Sequence, residues 1–167
     1  MISISRDEFW SYIELCRLHT NNMPAFNRLL ETIVDDWKLP KIAAFHKVMW
    51  DDIGVYQDGG ELWGLMHKAV DYLGGDDSWD CYDGWLIAQG REFHETVLRD
   101  PQVALTHIPP EDDIYEGESV IFVGQRVCSK KTDGKWCLYD LFGYDLSGNP
   151  EPGVDFPVNW IDGTQSP

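Results

Sequence analysis

The sequence predicts an all-α chain, an antiparallel multi-helix bundle of about six helices that ends in an irregular tail rich in proline and glycine. Three observations carry that expectation. Between Phe9 and Val97 apolar side chains recur every three or four residues, the period of one helix face. The stripes are separated by caps and breakers at Ser5, Asn21-Asn22, Leu39-Pro40, Gly59-Gly60 and Gly74-Gly75, residue types that start or stop helices. Further on, Gly143, Gly148 and Gly153 accompany Pro150, Pro152 and Pro157, and together they forbid long regular elements. With 167 residues, 43% of them hydrophobic, the chain can bury one ordinary core but not two. Residues 1–167 are therefore read as one domain, with core helices inside residues 5–134 and a tail over residues 135–167 that wraps the bundle through Leu146, Phe156 and Trp160.

Residues 5–19 open with Ser5 and Glu8, the spacing of a capping box in which each side chain accepts from an N–H at the helix start. Phe9, Tyr12, Ile13 and Cys16 then share one stripe and leave Glu14 and Arg17 toward water. Residues 24–38 begin with Pro24, whose missing N–H costs nothing in a first turn, and Phe26, Leu29, Leu30, Ile33, Val34 and Trp37 keep the period. Pro40 introduces residues 41–56, striped by Ile42, Phe45, His46, Met49, Trp50 and Ile53, and residues 61–73 carry Leu62, Leu65, Met66, Ala69, Val70 and Leu73. A fifth helix over residues 78–99 places Tyr82, Trp85, Leu86, Gln89, Phe93 and Val97 on one side and stops at Asp100-Pro101. Gly90 inside it costs roughly 1 kcal/mol against Ala, so its expected role is to admit another backbone. The expected buried set is Phe26, Leu30, Ile33, Phe45, Met49, Leu65, Ala69, Trp85, Leu86 and Phe93.

Pro109-Pro110-Glu111-Asp112-Asp113 reads as an exposed loop. Residues 117–140 stay open between two structures. Val120, Val123, Gly124, Val127 and Cys128 fit a helical stripe, while Val120-Ile121-Phe122-Val123, Asp133-Gly134 and Trp136-Cys137-Leu138-Tyr139 equally fit a hairpin around an Asp-Gly turn.

The 29 Asp and Glu against 13 Lys and Arg give a net charge of −16, well beyond the magnitude of roughly 2–8 usual in a small domain. Nucleic acid and anionic membranes would repel such a surface over a Debye length of about 8 Å, so the expected partner is a basic protein. No window nears the ~18 apolar residues of a membrane span, and Met1-Ile2-Ser3-Ile4-Ser5-Arg6-Asp7 lacks the pattern of a signal peptide. A cytoplasmic location is expected. Cys16, Cys81, Cys128 and Cys137 form no CxxC pair, so reduced, mostly buried thiols are expected rather than zinc ligands or a disulfide framework.

The segment Trp85-Leu86-Ile87-Ala88-Gln89-Gly90-Arg91-Glu92-Phe93-His94-Glu95, with Asp100-Pro101 at the helix end, resembles the central motif of a bacterial family, domain of unknown function 4240. Asp7-Glu8-Phe9-Trp10, Asp80-Cys81-Tyr82-Asp83-Gly84 and Lys130-Lys131-Thr132-Asp133-Gly134 are similar to it in placement, so the resemblance covers residues 5 to about 134. The chain departs from the family pattern at Asp83-Gly84, where a basic or aromatic residue is usual, and at His94, where a tyrosine is usual. The resemblance implies a mainly helical fold, tips residues 116–132 toward helix and puts Gly134 near a C-terminal cap. It implies no activity; some members are fused to toxin-defence modules.

Of the histidines, none stands at i, i+4 from another and no HExxH occurs, so a helical zinc site is not expected. His46 lies on an apolar stripe and is read as a hydrogen-bonded core or boundary residue. From Asp76, a calcium loop fails because Cys81 and Ile87 stand where glycine and glutamate are required. Neither a nucleophile motif nor a phosphate loop is present. Two functional readings follow. The first is an acidic binding protein, an immunity protein that neutralises a basic antibacterial toxin through Asp76, Asp77, Trp79, Asp80, Asp83, Glu111, Asp112, Asp113, Tyr115, Glu116 and Glu118, with carboxylates steering encounter and aromatics holding the complex. Trp10, Trp50 and Trp63 also lie at stripe edges. The second is an enzyme or small-ligand domain with a polar site at Asp80, Arg91, His94 and Glu95. Neither reading calls for a cofactor or metal. Accordingly, adding Zn²⁺ or Ca²⁺ should leave the melting temperature unchanged; a chelator-sensitive rise of several degrees would overturn this.

Overall fold

The computed structural model describes residues 3–57, 60–70, 73 and 76–134, and among them every regular element is helical. The order is α1 (Arg6–His19), α2 (Met23–Asp35), α3 (Leu39–Gln57), α4 (Glu61–Ala69), α5 (Asp76–Ala88), α6 (Arg91–Arg99), a 3-10 helix (Pro101–Thr106), α7 (Glu111–Ile121) and α8 (Val123–Lys131). The all-α expectation holds, with more and shorter helices than the six expected. The tail contacts expected of Leu146, Phe156 and Trp160, and the hairpin partner Trp136–Tyr139, lie outside the described residues.

Local chemistry explains the boundaries. Ser5 Oγ accepts from the Glu8 N–H at 3.1 Å, one half of the expected capping box. The other half is diverted, because the Glu8 carboxylate accepts from the Tyr12 hydroxyl at 3.1 Å and pairs with Lys41 at 3.3 Å. Asn22 caps α2 through the Ala25 N–H at 2.9 Å, and Pro24 sits in its first turn. Leu39 and Pro40 both join the start of α3, two residues earlier than expected. Extended Val70 ends α4 at Ala69, which is exposed rather than buried.

Two corrections bear on the site. The single helix expected over residues 78–99 is two helices, broken at Gly90, whose φ of +91° is a conformation that L side chains rarely adopt. The close neighbours of Gly90 are side chains, Glu14 and Arg17 of α1, rather than another backbone. Glu14 is not simply turned to water: its Oε1 accepts the Arg91 N–H at 3.0 Å and its Oε2 pairs with Arg17 at 2.7 Å. A carboxylate thus satisfies an orphan donor at the positive end of α6. The second correction is the expected loop at Glu111–Asp113, which is the first turn of α7, with Pro110 accepting from the Ile114 N–H at 3.2 Å. Three acids at a helix start are favourable. Of the open stretch over residues 117–140, residues 135–140 lie outside the described residues, while residues 117–121 and 123–131 are helical; the Gly134 N–H closes α8 on the Ser129 carbonyl at 2.8 Å with Asp133 in the left-handed region, a Schellman motif.

The core joins Phe9, Trp10 and Ile13 of α1, Phe26 and Leu30 of α2, Phe45 and Met49 of α3, and Trp85 and Leu86 of α5. Of the expected set, Ile33, Leu65 and Phe93 are half-buried instead. Trp10, expected at an edge, is 2% exposed. His46 is in the core and accepts from the Trp50 indole N–H at 2.8 Å, as expected, and Cys16, Cys81 and Cys128 are buried thiols. The closest helix contact is that of α5 with α7. A Cβ on Gly84 would strike the Gly117 carbonyl, and one on Gly117 would strike the Cys81 carbonyl.

Gly84→Ala and Gly117→Ala should each destabilise by about 1–3 kcal/mol or more, the cost of overpacking. Gly64→Ala in α4, with nothing within 4 Å of the new Cβ, should instead stabilise by up to ~1 kcal/mol through helix propensity. Urea denaturation of the three variants checks both signs.

Candidate functional site

Gly117, Val120 and Ile121 turn one side of α7 into the core. The opposite side carries Glu111, Tyr115 and Glu118 at i, i+4 and i+7, with Asp112 beside them, all exposed. Tyr115 is 50% exposed in the middle of these carboxylates. Its hydroxyl donates to Glu111 at 3.3 Å, and the negative charge of Glu111 raises its pKa. Two other expected members of the face are turned away from it. Glu116 accepts from the Asn27 amide of α2 at 2.8 Å, and half-buried Asp113 lines a cleft beside α2.

The start of α5 divides similarly. Trp79 and Asp80 are half-buried, Asp83 is 0% exposed, and the side chains of Asp76 and Asp77 lie outside the described residues. Asp83 thus cannot face a partner in the folded chain. Neither of its oxygens has a hydrogen-bond partner among the described residues. Burial, reinforced by the charge of Asp80, holds its pKa well above the ordinary carboxylate value. Trp79 stacks on Tyr82 at 5.4 Å and meets Trp63 edge-on at 5.6 Å, and Tyr82 stacks on Trp85 at 5.6 Å. The ring of Trp79 is therefore tied into an aromatic row that runs from the surface at Trp63 toward the core.

Arg91, His94 and Glu95, members of the second expected site, share α6, while Asp80 stands on α5. Arg91 pairs with Glu95 at 2.8 Å and with Asp7 at 2.6 Å. Glu95 also takes Arg6, which reaches Asp52 of α3 at 2.7 Å. Hydrogen bonding to Arg91 holds the Glu95 pKa below its ordinary value. This network ties α1, α3 and α6; its exposed pairs, those of Arg91 with Glu95 and Asp7 and of Arg6 with Glu95, are each worth about 0–1 kcal/mol, while Asp52 is buried. His94 is buried with its ring 4.8 Å from that of Trp10. Burial, helped by the charge of Arg6, lowers its pKa to about 3, so the ring is neutral near pH 7 and is not poised to carry protons there.

Among the described residues no three His, Cys, Asp or Glu side chains are grouped to hold a metal ion, and no helix is long and apolar enough to cross a membrane. Sequence reasoning missed Glu14 as the cap of α6, since helical spacing assigns it to solvent and nothing local marks a partner 77 residues away. Compared with known proteins, residues 4–130 match the model of a family described as "Protein of unknown function (DUF4240)". No curated protein and no solved structure matches the chain.

The buried carboxyl sets a pH dependence. A folded pKa raised above the unfolded value means that Asp83 favours folding while protonated and loses that contribution as pH rises through the folded value. His46 and His94, lowered to about 4 and about 3 mainly by burial, act in the opposite sense: their contribution is present above the ordinary histidine value and is lost as pH falls. Asp83→Asn leaves both histidines in place, so the difference between variant and parent isolates the carboxyl. The variant should melt higher than the parent near pH ~7, and the gap should close toward pH ~4; thermal denaturation across that range measures it.

Proposed function

We propose that this chain, which belongs to the DUF4240 family through residues 4–130, is an acidic cytoplasmic binding protein that docks a basic protein partner on the outward face of α7. Its concrete role in this reading is that of an immunity protein, neutralising a cognate antibacterial toxin by direct binding. The observation that carries the proposal is Tyr115, half-exposed on a helix face whose other exposed members are the carboxylates of Glu111, Asp112 and Glu118. A net charge of −16 supplies a field that accelerates encounter with a cation-rich surface toward ~10⁸–10⁹ M⁻¹s⁻¹ at low salt. An aromatic ring with a polar tip is the kind of side chain that then holds a complex. The fixed backbone of a packed helix presents these groups without a backbone-ordering cost.

The test starts by isolating the partner from the native cytosol and asking whether co-expression of this chain relieves its toxicity. Binding kinetics follow at two salt concentrations. Replacing Glu111, Asp112 and Glu118 by their amides should slow association several-fold and flatten its salt dependence, whereas Tyr115→Ala should mainly raise the dissociation rate, by roughly tenfold. An acidic partner, or an unchanged association rate and salt slope in the triple variant, would sink the proposal.

A further inference from the structure

The cleft that takes in Asp113 lies on the molecule where several elements end. The end of α1, the start of α2, the end of α5, the segment after the 3-10 helix and the start of α7 line an open cleft of about 260 Å³. Its floor is apolar and buried: Phe26, Trp85 and Ala88 are 3%, 2% and 4% exposed. Its rim is polar, with Arg17, Gln89, His107 and Asp113. An apolar base under a few convergent polar groups is the usual build of a small-molecule site.

The rim has a definite polarity. Thr20 donates to the Cys16 carbonyl at 2.7 Å and Asn22 is committed to capping α2, so these two serve the fold. Arg17 gives only Nη1 to Glu14, which leaves further guanidinium donors, since the group carries five N–H bonds. Gln89 donates to the Trp85 carbonyl at 3.2 Å, which leaves its amide oxygen as an acceptor. The Asp113 carboxylate has no hydrogen-bond or ion-pair partner among the described residues, while its backbone N–H donates to the Pro110 carbonyl at 3.1 Å. The His107 ring lies nearly parallel to Trp85, 5.7 Å away at 19°, and continues the aromatic wall upward. The cleft therefore offers a guanidinium with donors left over from Glu14, one carboxylate and an apolar base.

We propose that this cleft binds a small zwitterion, a free α-amino acid with an apolar side chain. Its carboxylate pairs with Arg17, its ammonium group with Asp113 and the Gln89 amide oxygen, and its side chain rests on Phe26 and Trp85. A ligand with one charge engages only one of these two charged groups, whereas a zwitterion engages both. The site is separate from the outward face of α7 and does not depend on what that face binds.

Calorimetric titration of the full chain with leucine and phenylalanine tests this, with N-acetyl-leucine and leucinamide as probes that each lack one charge. The expected result is saturable binding of at least one free amino acid with Kd near ~1 mM or tighter, weakened about tenfold or more in both blocked analogues. Asp113→Asn and Arg17→Gln should each weaken binding to a similar extent. Because Arg17 also flanks Gly90, circular dichroism and melting accompany that variant, while the analogue series on the unmodified protein stands whether or not it folds. Absence of saturable binding up to ~10 mM, four orders above a micromolar ligand, would overturn the proposal. So would an N-acetyl form that binds as well as the free amino acid, which would mark a plain carboxylate site, or an amide that does so, which would mark an amine site.

Discussion

Backbone contact between α5 and α7 at Gly84 and Gly117 is the constraint on which the rest of the molecule depends. Two helices whose carbonyls meet glycine Cα atoms have almost no freedom to roll, because any rotation brings a Cβ-bearing neighbour into the seam. With Gly117 facing α5, helical geometry sends Val120 and Ile121 inward and Glu111, Tyr115 and Glu118 outward. The same seam sets Trp85 and Ala88 of α5 under the cleft and Asp113 of α7 on its edge. One steric fact thus orients both the acidic face and the polar rim.

A second constraint acts at Gly90. Its positive φ turns the chain sharply between α5 and α6, and Glu14 of α1 fastens the corner by accepting from the Arg91 N–H. The turn lets α6 present Arg91 and Glu95 to Arg6 and Asp7 while burying His94 and Val97. A straight helix through residue 90 would have continued the axis of α5 instead. The ion pairs above it follow from this placement more than they cause it, since exposed pairs are individually weak.

Much of this architecture is legible in the residues. The stripes of α1, α2 and α3 fall where a 3.6-residue period places them, and Ser5 and Asn22 cap as their chemistry suggests. What escapes a linear reading are the places where a distant group decides. The stripe through Gln89 and Phe93 continues across Gly90, so the period hides a break that only Glu14 and Arg17 make intelligible. Pro109-Pro110 followed by three acids has the composition of a loop, yet it is also the composition of a stop and a favourable first turn. Asp83 looks like one more surface acid near a helix start, and its burial depends on packing that no neighbour in sequence announces. Within the candidate face, exposure at Glu111, Asp112, Tyr115 and Glu118 follows from helix phase once α7 is known to be a helix. The inward turn of Asp113 and Glu116 follows from the same phase, which a loop assignment could not supply.

The glycine seam also has a kinetic meaning. Glycine weakens an isolated helix by about 1 kcal/mol relative to alanine, and short helices of this length are marginal alone, so neither α5 nor α7 is expected to persist in a chain that has not yet folded. Their formation and their docking are then one event, spanning residues far apart in sequence. A nascent or partly unfolded chain would carry the acidic residues of α7 without their arrangement, and would offer a visitor charge but no surface. Any recognition at that face would therefore report on completed folding.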